Sequence, residues 1–296
     1  MSSSTVLLLR APSQDIDKYE AEFTSNGYHP ISIPVLETVL LNLPPLLQIV
    51  QAGPVERKIH GVIVTSARAC EAWRCVLEQI IAGEHSPSRD ADWSTTPFYV
   101  VGEATASSLS DLPPHPRLTP RIIRGASEGG TSEKLAHFIL KDLDLEGRSR
   151  DHDDVGKPTL LYLTGDKNRD TLPGILSEGG VELESLQVYG TVGSSRFGRD
   201  LEEGLRGAPL DTKKWWVVYF APSAAAFVTP FLKNHFSLPT LDDPHQEQAN
   251  TNAHLAAIGP TTANFLRDTL KLAVNVTSPK PTPEALNAAI LQFDTS

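Results

Sequence analysis

Short apolar runs alternate with amphipathic stretches along most of this chain. The spacing of apolar positions predicts helices at residues 14–26, 40–52, 66–81, 104–111 and 131–140, with further helices in the second half. The apolar runs predict strands at residues 5–10, 29–35, 61–65, 98–101, 121–124, 159–163, 184–189, 215–220, 255–258 and 274–276. Strands that alternate with helices in this way are typical of a parallel sheet built from βαβ units.

Three polar segments interrupt this pattern. We expect residues 83–96 to form an exposed loop, since they are rich in Ser, Asp and Pro. Residues 148–157 are highly charged and predict a linker. Residues 242–252 predict a second polar insertion that is mobile.

The second half of the chain repeats the first. Matching segments, separated by about 150 positions, are 5–10 with 159–164, 61–69 with 216–224, and 133–140 with 284–291. The chain is therefore predicted to be a tandem duplication of a five-stranded α/β unit. Ligands of such sheets bind beyond the carboxyl ends of the strands, so we expect two facing units to form one cleft there.

Two further matching segments predict where an anion would bind. In Val100-Val-Gly-Glu-Ala-Thr-Ala106 and Ala257-Ile-Gly-Pro-Thr-Thr-Ala263, an apolar strand runs through a Gly into a helix. Gly102 matches Gly259 and Thr105 matches Thr262. Free backbone N–H groups and the helix dipole favour an anion at such a turn. The alternative is a plain tight turn with a Thr cap.

The charge of the chain excludes some partners. The formal net charge is −10, from 26 basic and 36 acidic residues, and aromatic residues make up 7%. These values argue against nucleic-acid binding through bulk electrostatics, and an acidic ligand would need local donors. We also expect no signal peptide and no membrane span. Cys70 and Cys75 predict reduced thiols in a cytoplasmic protein.

Several familiar chemistries are missing from the sequence. A Walker loop is absent, and Gly102 is not followed by the further glycines of a dinucleotide-binding turn. The nine histidines are scattered, and none has metal-ligand spacing beside a carboxylate cluster. Ser223 lacks the flanking glycines of a nucleophile elbow. A cofactor-free enzyme without a metal, or a binding module, remains.

Motifs in a fixed order along nearly the whole chain resemble the uroporphyrinogen-III synthase family. They include Val64-Thr-Ser-Ala-Arg-Ala69, Val188-Tyr-Gly-Thr191 and Phe220-Ala-Pro-Ser223, together with the two glycine turns. The other matching segments are 33–36, 133–136, 165–169, 172–173 and 278–285. Each motif is weak by itself, whereas their order and spacing are specific.

This resemblance implies a fold and a reaction. The fold would be two α/β domains joined by two crossing strands, with residues 1–35 and 192–296 in one domain and 36–191 in the other. The substrate would be hydroxymethylbilane, a linear tetrapyrrole polycarboxylate. The enzyme would release its hydroxyl as water, invert the last pyrrole ring through an azafulvene and a spiro intermediate, and close the macrocycle. Because the pyrroles are electron-rich, no cofactor would be needed.

The resemblance also implies roles for individual residues. Tyr189 would assist departure of the hydroxyl, since a phenol can donate a hydrogen bond. The residues that would bind substrate are Thr65, Ser66, Arg68, Gly102, Thr105, Ala106, Lys167, Arg169, Ser223, Ala224, Thr261 and Thr262. The alternatives are a packing role for Tyr189, helix caps for Thr105 and Thr262, and solvated positions for the basic residues.

Some residues depart from the family's pattern, and two other classes of protein stay open. Ala67, Ala221, Ala224, Glu103 and His254 stand where relatives carry other residues, which affects individual carboxylate contacts. One rival is a two-domain binding protein that closes on a small anion. The other is a transferase that uses a phosphorylated substrate. The expected partner is hydroxymethylbilane, without nucleic acid or membrane, and the expected state is a monomer.

Overall fold

The computed structural model of this chain describes residues 4–13, 15–83, 86–128, 130–144, 156–167, 170–242 and 251–296. It divides the chain into two compact units. Unit 1 comprises residues 1–37 and 192–296, and unit 2 comprises residues 38–191. Unit 2 is thus inserted into the sequence of unit 1.

The described residues form thirteen strands and ten helices. The strands are β1 (Ser4–Leu9), β2 (Tyr28–Ser32), β3 (Leu36–Leu40), β4 (Ile59–Val64), β5 (Pro97–Val100), β6 (Ile122–Arg124), β7 (Thr159–Thr164), β8 (Glu182–Gln187), β9 (Tyr189–Gly193), β10 (Lys214–Tyr219), β11 (Phe236–Ser237), β12 (Thr251–Ala257) and β13 (Val276–Thr277). The helices are α1 (Lys18–Ser25), α2 (Leu43–Ala52), α3 (Ala67–Ile81), α4 (Glu103–Ser110), α5 (Ser132–Asp142), α6 (Thr171–Glu178), α7 (Phe197–Gly207), α8 (Pro222–Leu232), α9 (Pro260–Asp268) and α10 (Pro283–Thr295).

In the sheet of unit 1, β1 lies between β10 and β2. The strand order is β11-β12-β10-β1-β2, and β13 also pairs with β12; all these pairs are parallel. Successive residues of β1 enter different cores: Leu7 and Leu9 pack on one face of the sheet, and Val6 and Leu8 on the other. Burial on both faces explains why this strand is a continuous apolar run.

The sheet of unit 2 follows the same principle. Its order is β6-β5-β4-β7-β8, again with parallel pairs. Val62 and Val64 belong to one core cluster, and Ile63 belongs to the other. Two parallel α/β sheets confirm the fold class that the alternating pattern predicts. Parallel pairing brings the carboxyl ends of β4, β5 and β7 to one edge.

The strands at the boundary of the units differ from the sequence prediction. β3 and β9 pair in a separate two-stranded sheet. The helix predicted from residue 40 begins at Leu43, because the residues before it belong to β3. The strand predicted at 184–189 ends at Gln187, and Tyr189 begins β9 instead of ending a strand. Val188, fully buried, separates β8 and β9, and its carbonyl accepts from the Leu41 N–H at 2.8 Å.

The prediction of an exposed loop at residues 83–96 is wrong for its second half. Ala91 and Trp93 are completely buried. The indole N–H of Trp93 donates to the Val50 carbonyl at 2.9 Å, and its ring packs edge-on against Trp73. Because the neighbours of Ala91 and Trp93 in the sequence are polar, the apolar pattern does not indicate that these two residues are buried. The predicted linker and insertion lie mostly outside the described residues, which resume at 156 and 251.

Candidate functional site

Tyr189 packs directly on the backbone that follows β7. A Cβ atom added to Gly165 would lie 2.4 Å from Cζ of Tyr189 and 2.7 Å from its hydroxyl oxygen. Part of the ring also contacts the core of unit 2. Because Gly165 follows the last residue of β7, the phenol lies at the carboxyl edge of the unit 2 sheet.

Tyr162 links Tyr189 to Thr65. Tyr162 lies in β7 opposite Ile63 of β4, and its side chain is almost completely buried. Burial raises the pKa of the Tyr162 hydroxyl above its usual range, a side-chain hydrogen-bonding interaction with Thr65 lowers it, and the nearby Tyr189 raises it again. Thr65 and Tyr189 therefore both lie near the Tyr162 hydroxyl, which is protonated at neutral pH.

The segment after Gly165 is tied to β9. The Asp166 carboxylate accepts the Thr191 N–H at 3.0 Å, and this bond is the main reason that the pKa of Asp166 is lowered. Lys167 is exposed beside it. Arg169 lies outside the described residues, so its predicted role stays a prediction.

At the start of α3, Ser66 and Arg68 play different parts. Ser66 is the N-cap, and its hydroxyl accepts the Ala69 N–H at 3.3 Å. Arg68 is exposed and pairs with Glu71 on its own helix at 2.7 Å. An exposed pair of this kind contributes little to stability, so Glu71 can release Arg68 to another carboxylate at small cost.

The start of α4 shows that Thr105 is not a helix cap. Gly102 occupies the cap position in an extended conformation, and Thr105 is buried in the first turn. The N–H groups of Thr105 and Ala106 both donate to the Gly102 carbonyl at 3.1 Å. Glu103 is exposed at the first helical position. Its negative charge already complements the helix dipole there.

The starts of α8 and α9 carry no acidic residue in their first turns. Gly259 caps α9, so Thr262, which is buried, is not a cap either. Thr261 and Ser223 are exposed, whereas Ala224 is buried. Free N–H groups at these two helix starts make the carboxyl edge of unit 1 electrically favourable for an anion.

A pocket of about 360 Å³ lies at this edge of unit 1. Three short segments line it, and each follows a strand of the sheet: 220–222 after β10, 258–262 after β12, and 278–281 after β13. Lys280 brings a positive charge to the lining, and Phe220 brings an aromatic ring. The pocket therefore combines a cation, helix N–H groups and apolar surface.

The sequence of this chain is similar to those of one known family over most of its length. The family model described as "Uroporphyrinogen-III synthase HemD" matches residues 17–288. The chain belongs to the uroporphyrinogen-III synthase family. Uroporphyrinogen-III synthase of Saccharomyces cerevisiae is 30% identical over 96% of this chain and 94% of its own. The protein of that name from Schizosaccharomyces pombe is 30% identical over 98% of this chain and 97% of its own.

Solved structures of similar proteins carry the same name. Uroporphyrinogen-III synthetase of Helicobacter pylori is 17% identical, covers 98% of this chain and 99% of its own, and has a TM-score of 0.40. The wild-type enzyme of Thermus thermophilus is 19% identical, covers 99% and 100%, and has a TM-score of 0.37. Since both TM-scores are below 0.5, the fold described above rests on this chain's own strands and helices.

Membership of the uroporphyrinogen-III synthase family makes this chain a cyclising enzyme of tetrapyrrole biosynthesis. Of the residues predicted for its site, Tyr189 and Thr65 both lie near Tyr162 in unit 2. In the same unit, the Cys70 thiol of α3 donates to the Thr105 carbonyl of α4 at 3.7 Å. Burial raises the pKa of Cys70 to about 12, so this thiol is not a nucleophile. In unit 1, Thr261 and Thr262 line the pocket.

Sequence reasoning missed several residues near these positions. Tyr162 and Asp166 are part of the unit 2 edge, and Arg10, Tyr19 and Lys280 surround the pocket of unit 1. Arg10 follows β1 directly, as Gly165 follows β7. Ligands of parallel sheets lie beyond the carboxyl ends of the strands, so this rule could have identified Arg10 after β1 and Asp166 after β7 from the sequence.

Two kinds of feature are absent from the part of the chain that the structure describes. There, no group of three or more His, Cys, Asp or Glu side chains is placed to hold a metal ion. No helix among the same residues has the length and apolar character needed to cross a bilayer.

Proposed function

We propose that this chain converts hydroxymethylbilane to uroporphyrinogen III, with loss of water and inversion of the last pyrrole ring. The observation that carries this proposal is the family match over residues 17–288. Relatives of the same name support it, because their similarity extends over almost the whole chain.

In the proposed reaction, Tyr189 assists departure of the hydroxyl. Its phenol donates a proton or hydrogen bond to the leaving oxygen, which departs as water, while the pyrrole nitrogen supplies the electron pair. The position of Tyr189 at the carboxyl edge of unit 2 supports this role. Because the electrons come from the substrate, the reaction as proposed requires no cofactor.

The remaining site residues bind the substrate's carboxylates in this proposal. Charge-assisted hydrogen bonds contribute about 1.5–3 kcal/mol each, and a helix start adds about 0.3–1 kcal/mol. We assign such contacts to Arg68, Lys167 and Arg169, and to the helix starts that contain Ser66, Gly102, Thr105, Ala106, Ser223, Ala224, Thr261 and Thr262. Several such contacts outweigh the net charge of −10, which salt screens beyond about 8 Å.

We also propose that the protein acts as a monomer in the cytoplasm. The three most exposed large apolar side chains among the described residues, Ile16, Val55 and Leu210, each stand next to an acidic residue in the sequence. Both cysteines are free. Light scattering during gel filtration at micromolar concentration should give the mass of one chain; a mass of two chains would contradict the monomer.

The test of this function is an isomer assay. Purified protein is given hydroxymethylbilane that a separate enzyme generates in the same vessel, and the products are oxidised and separated by chromatography. Hydroxymethylbilane also cyclises without a catalyst, but without ring inversion. We therefore expect type III product to predominate with the protein and type I without it. Type I product alone in both vessels would overturn the proposed function.

A further inference from the structure

The wall of the unit 1 pocket formed by residues 278–281 lies outside helices and strands. Ser278 is fully buried; its hydroxyl donates to the Lys280 carbonyl at 2.6 Å, and its N–H donates to the Ala257 carbonyl at 2.9 Å. These bonds fix the beginning of the segment. The end of the segment, at Pro281, needs a different support.

Tyr19 supplies that support from α1. Its hydroxyl donates to the Pro281 carbonyl at 3.1 Å. Its ring packs edge-on against Phe220, with 5.1 Å between ring centroids. One side chain thus contacts two different walls of the pocket, although Tyr19 itself does not line it.

Arg10 in turn holds Tyr19. Its guanidinium carbon lies 5.0 Å from the centroid of the Tyr19 ring and 5.7 Å from that of Phe220. The same guanidinium donates to the Asp17 carboxylate at 2.7 Å. Asp17 caps α1, where it accepts the N–H of Tyr19 at 3.0 Å and that of Glu20 at 3.1 Å.

This ion pair is more enclosed than an ordinary surface pair. The side chain of Asp17 is 3% exposed and that of Arg10 is 22% exposed. Both side chains of the pair are therefore restricted in their movement. The planar guanidinium of Arg10 can stack on the two rings while it donates to the carboxylate. A lysine at this position would keep the charge and lose the planar contact.

We propose that Arg10 is a positioning residue for substrate binding: together with Asp17 and Tyr19, it sets the separation of Phe220 and Pro281, so that the pocket admits a carboxylate-bearing pyrrole side chain. The proposal rests on the proposed function, because it takes the tetrapyrrole as the ligand. Arg10 acts on the substrate through Tyr19 and Phe220. Its removal should weaken binding and leave the chemical step at Tyr189 unchanged.

Steady-state kinetics of type III formation test this role. We expect Arg10→Met to raise KM about 10-fold, equivalent to about 1.4 kcal/mol, with kcat within about twofold of the wild type. Arg10→Lys should give a smaller increase in KM. Tyr19→Phe removes only the hydroxyl that bonds to Pro281, and we expect it to raise KM about threefold.

Unit 2 offers a matched control. Arg124 pairs with Asp142, which also accepts from the Tyr99 hydroxyl at 2.8 Å. This second Arg–Asp–Tyr group does not line the pocket. Arg124→Met should therefore leave KM within about twofold of the wild type, whatever it does to thermal stability.

The outcomes separate this inference from the function on which it rests. Wild-type protein that forms no type III product overturns the proposed function. Wild-type protein that forms it, with KM unchanged in Arg10→Met and Tyr19→Phe, overturns the positioning role. A fall in kcat and in the melting temperature at constant KM would indicate a purely structural role. If Arg10→Met does not fold, Tyr19→Phe decides the question.

Discussion

The hydroxyl of Tyr189 is the smallest group on which the proposed chemistry depends. Tyr189→Phe keeps the ring that packs on Gly165 and removes only this hydroxyl. We expect turnover to type III product to fall by about 10²–10⁴, the usual contribution of a general acid, without a change in melting temperature. Initial rates and a thermal melt measure the two effects.

Tyr28→Phe provides the control for that substitution. The Tyr28 hydroxyl donates to Asp294 at 2.7 Å, next to Lys214 and the indole of Trp216. Its loss should lower stability by about 0.5–1.5 kcal/mol and leave turnover unchanged. Near-normal type III formation by Tyr189→Phe would instead exclude the tyrosine from the reaction and leave the substrate's own pyrroles to supply the chemistry.

Asp17 makes unit 1 sensitive to acid. Burial alone would raise its pKa, but hydrogen bonds from the Ser13 N–H, Arg10 and the Glu20 N–H outweigh burial and lower the pKa to about 2. The unfolded chain binds this proton nearer to the ordinary value of 3.8. The carboxylate therefore stabilises the folded state above pH 3.8, and this contribution is lost as the pH falls towards 2.

Asp17→Asn should remove that part of the pH dependence. We expect the free energy of unfolding of the variant to be lower at pH 7 and to change less between pH 4 and pH 2 than that of the wild type. Urea unfolding at a series of pH values measures both. Parallel curves for the two proteins would show that Asp17 titrates alike in the folded and unfolded chains.

Local sequence identified some of these side chains and missed others for a physical reason. Thr105 and Thr262 are recognisable because a glycine turn precedes each of them within a few residues. Tyr162 contacts Thr65 only because β4 and β7 pair, with Ile63 opposite Tyr162. A register between strands that are so distant in the sequence is set by tertiary packing, and local patterns do not contain it.

The backbone directly after β7 is sensitive to added volume. Gly165 is not among the glycines with a left-handed backbone, so alanine would not strain the chain there. Its Cβ would nevertheless lie 2.4 Å from Cζ of Tyr189. We expect Gly165→Ala to displace the ring, lowering stability by about 1–3 kcal/mol and turnover by at least about 10-fold. Urea unfolding and initial rates measure these changes.

Gly174 in α6 is the matched control for that glycine. A Cβ there has no heavy atom within 4 Å. Because alanine suits a helix interior better than glycine, Gly174→Ala should stabilise the protein by about 0.5–1 kcal/mol without a change in turnover. Equal effects of the two substitutions would mean that the tyrosine ring moves aside freely.

The helices and strands themselves were largely predictable. Buried parallel strands are continuous apolar runs, and the periodicity of α3 gives it a clear apolar face. The apolar pattern by itself missed β3, because Leu36-Glu-Thr-Val-Leu40 runs without a break towards the apolar helix that begins at Leu43. Only the family resemblance implied crossing strands between the domains. The extended conformation of β3 comes from pairing with β9.

Unit 2 should fold without the rest of the chain. It is one continuous segment, residues 38–191, and its two core clusters consist of its own side chains. Two of the four tryptophans, Trp73 and Trp93, are buried there. We expect a protein of residues 38–191 to unfold cooperatively in urea, as judged by tryptophan fluorescence and near-ultraviolet circular dichroism.

A core substitution checks that result. Val76 is fully buried in α3, and Val76→Asp should abolish the transition because it places a charge in an apolar core. A broad, non-cooperative change in the unsubstituted segment would show that unit 2 depends on unit 1 for its fold.

Periodicity shows two similar halves, but the units are not the halves. Strand pairing decides their composition: β1 lies between β2 and β10, so the first residues of the chain belong with the last hundred. The choice of partner for an apolar strand is a property of the whole sheet, which a local pattern cannot specify.

The pairing of β1 with a strand from the far end of the sequence has a consequence for synthesis on the ribosome. Thr5 pairs with Trp215, so β1 leaves the ribosome long before its neighbour β10 is translated. At about 5–20 residues per second, that delay is roughly ten to forty seconds. During this delay unit 2 is completed, while the edge of β1 that pairs with β10 has no partner. Until β10 has been translated, β1 of a nascent chain therefore presents this unpaired edge to chaperones.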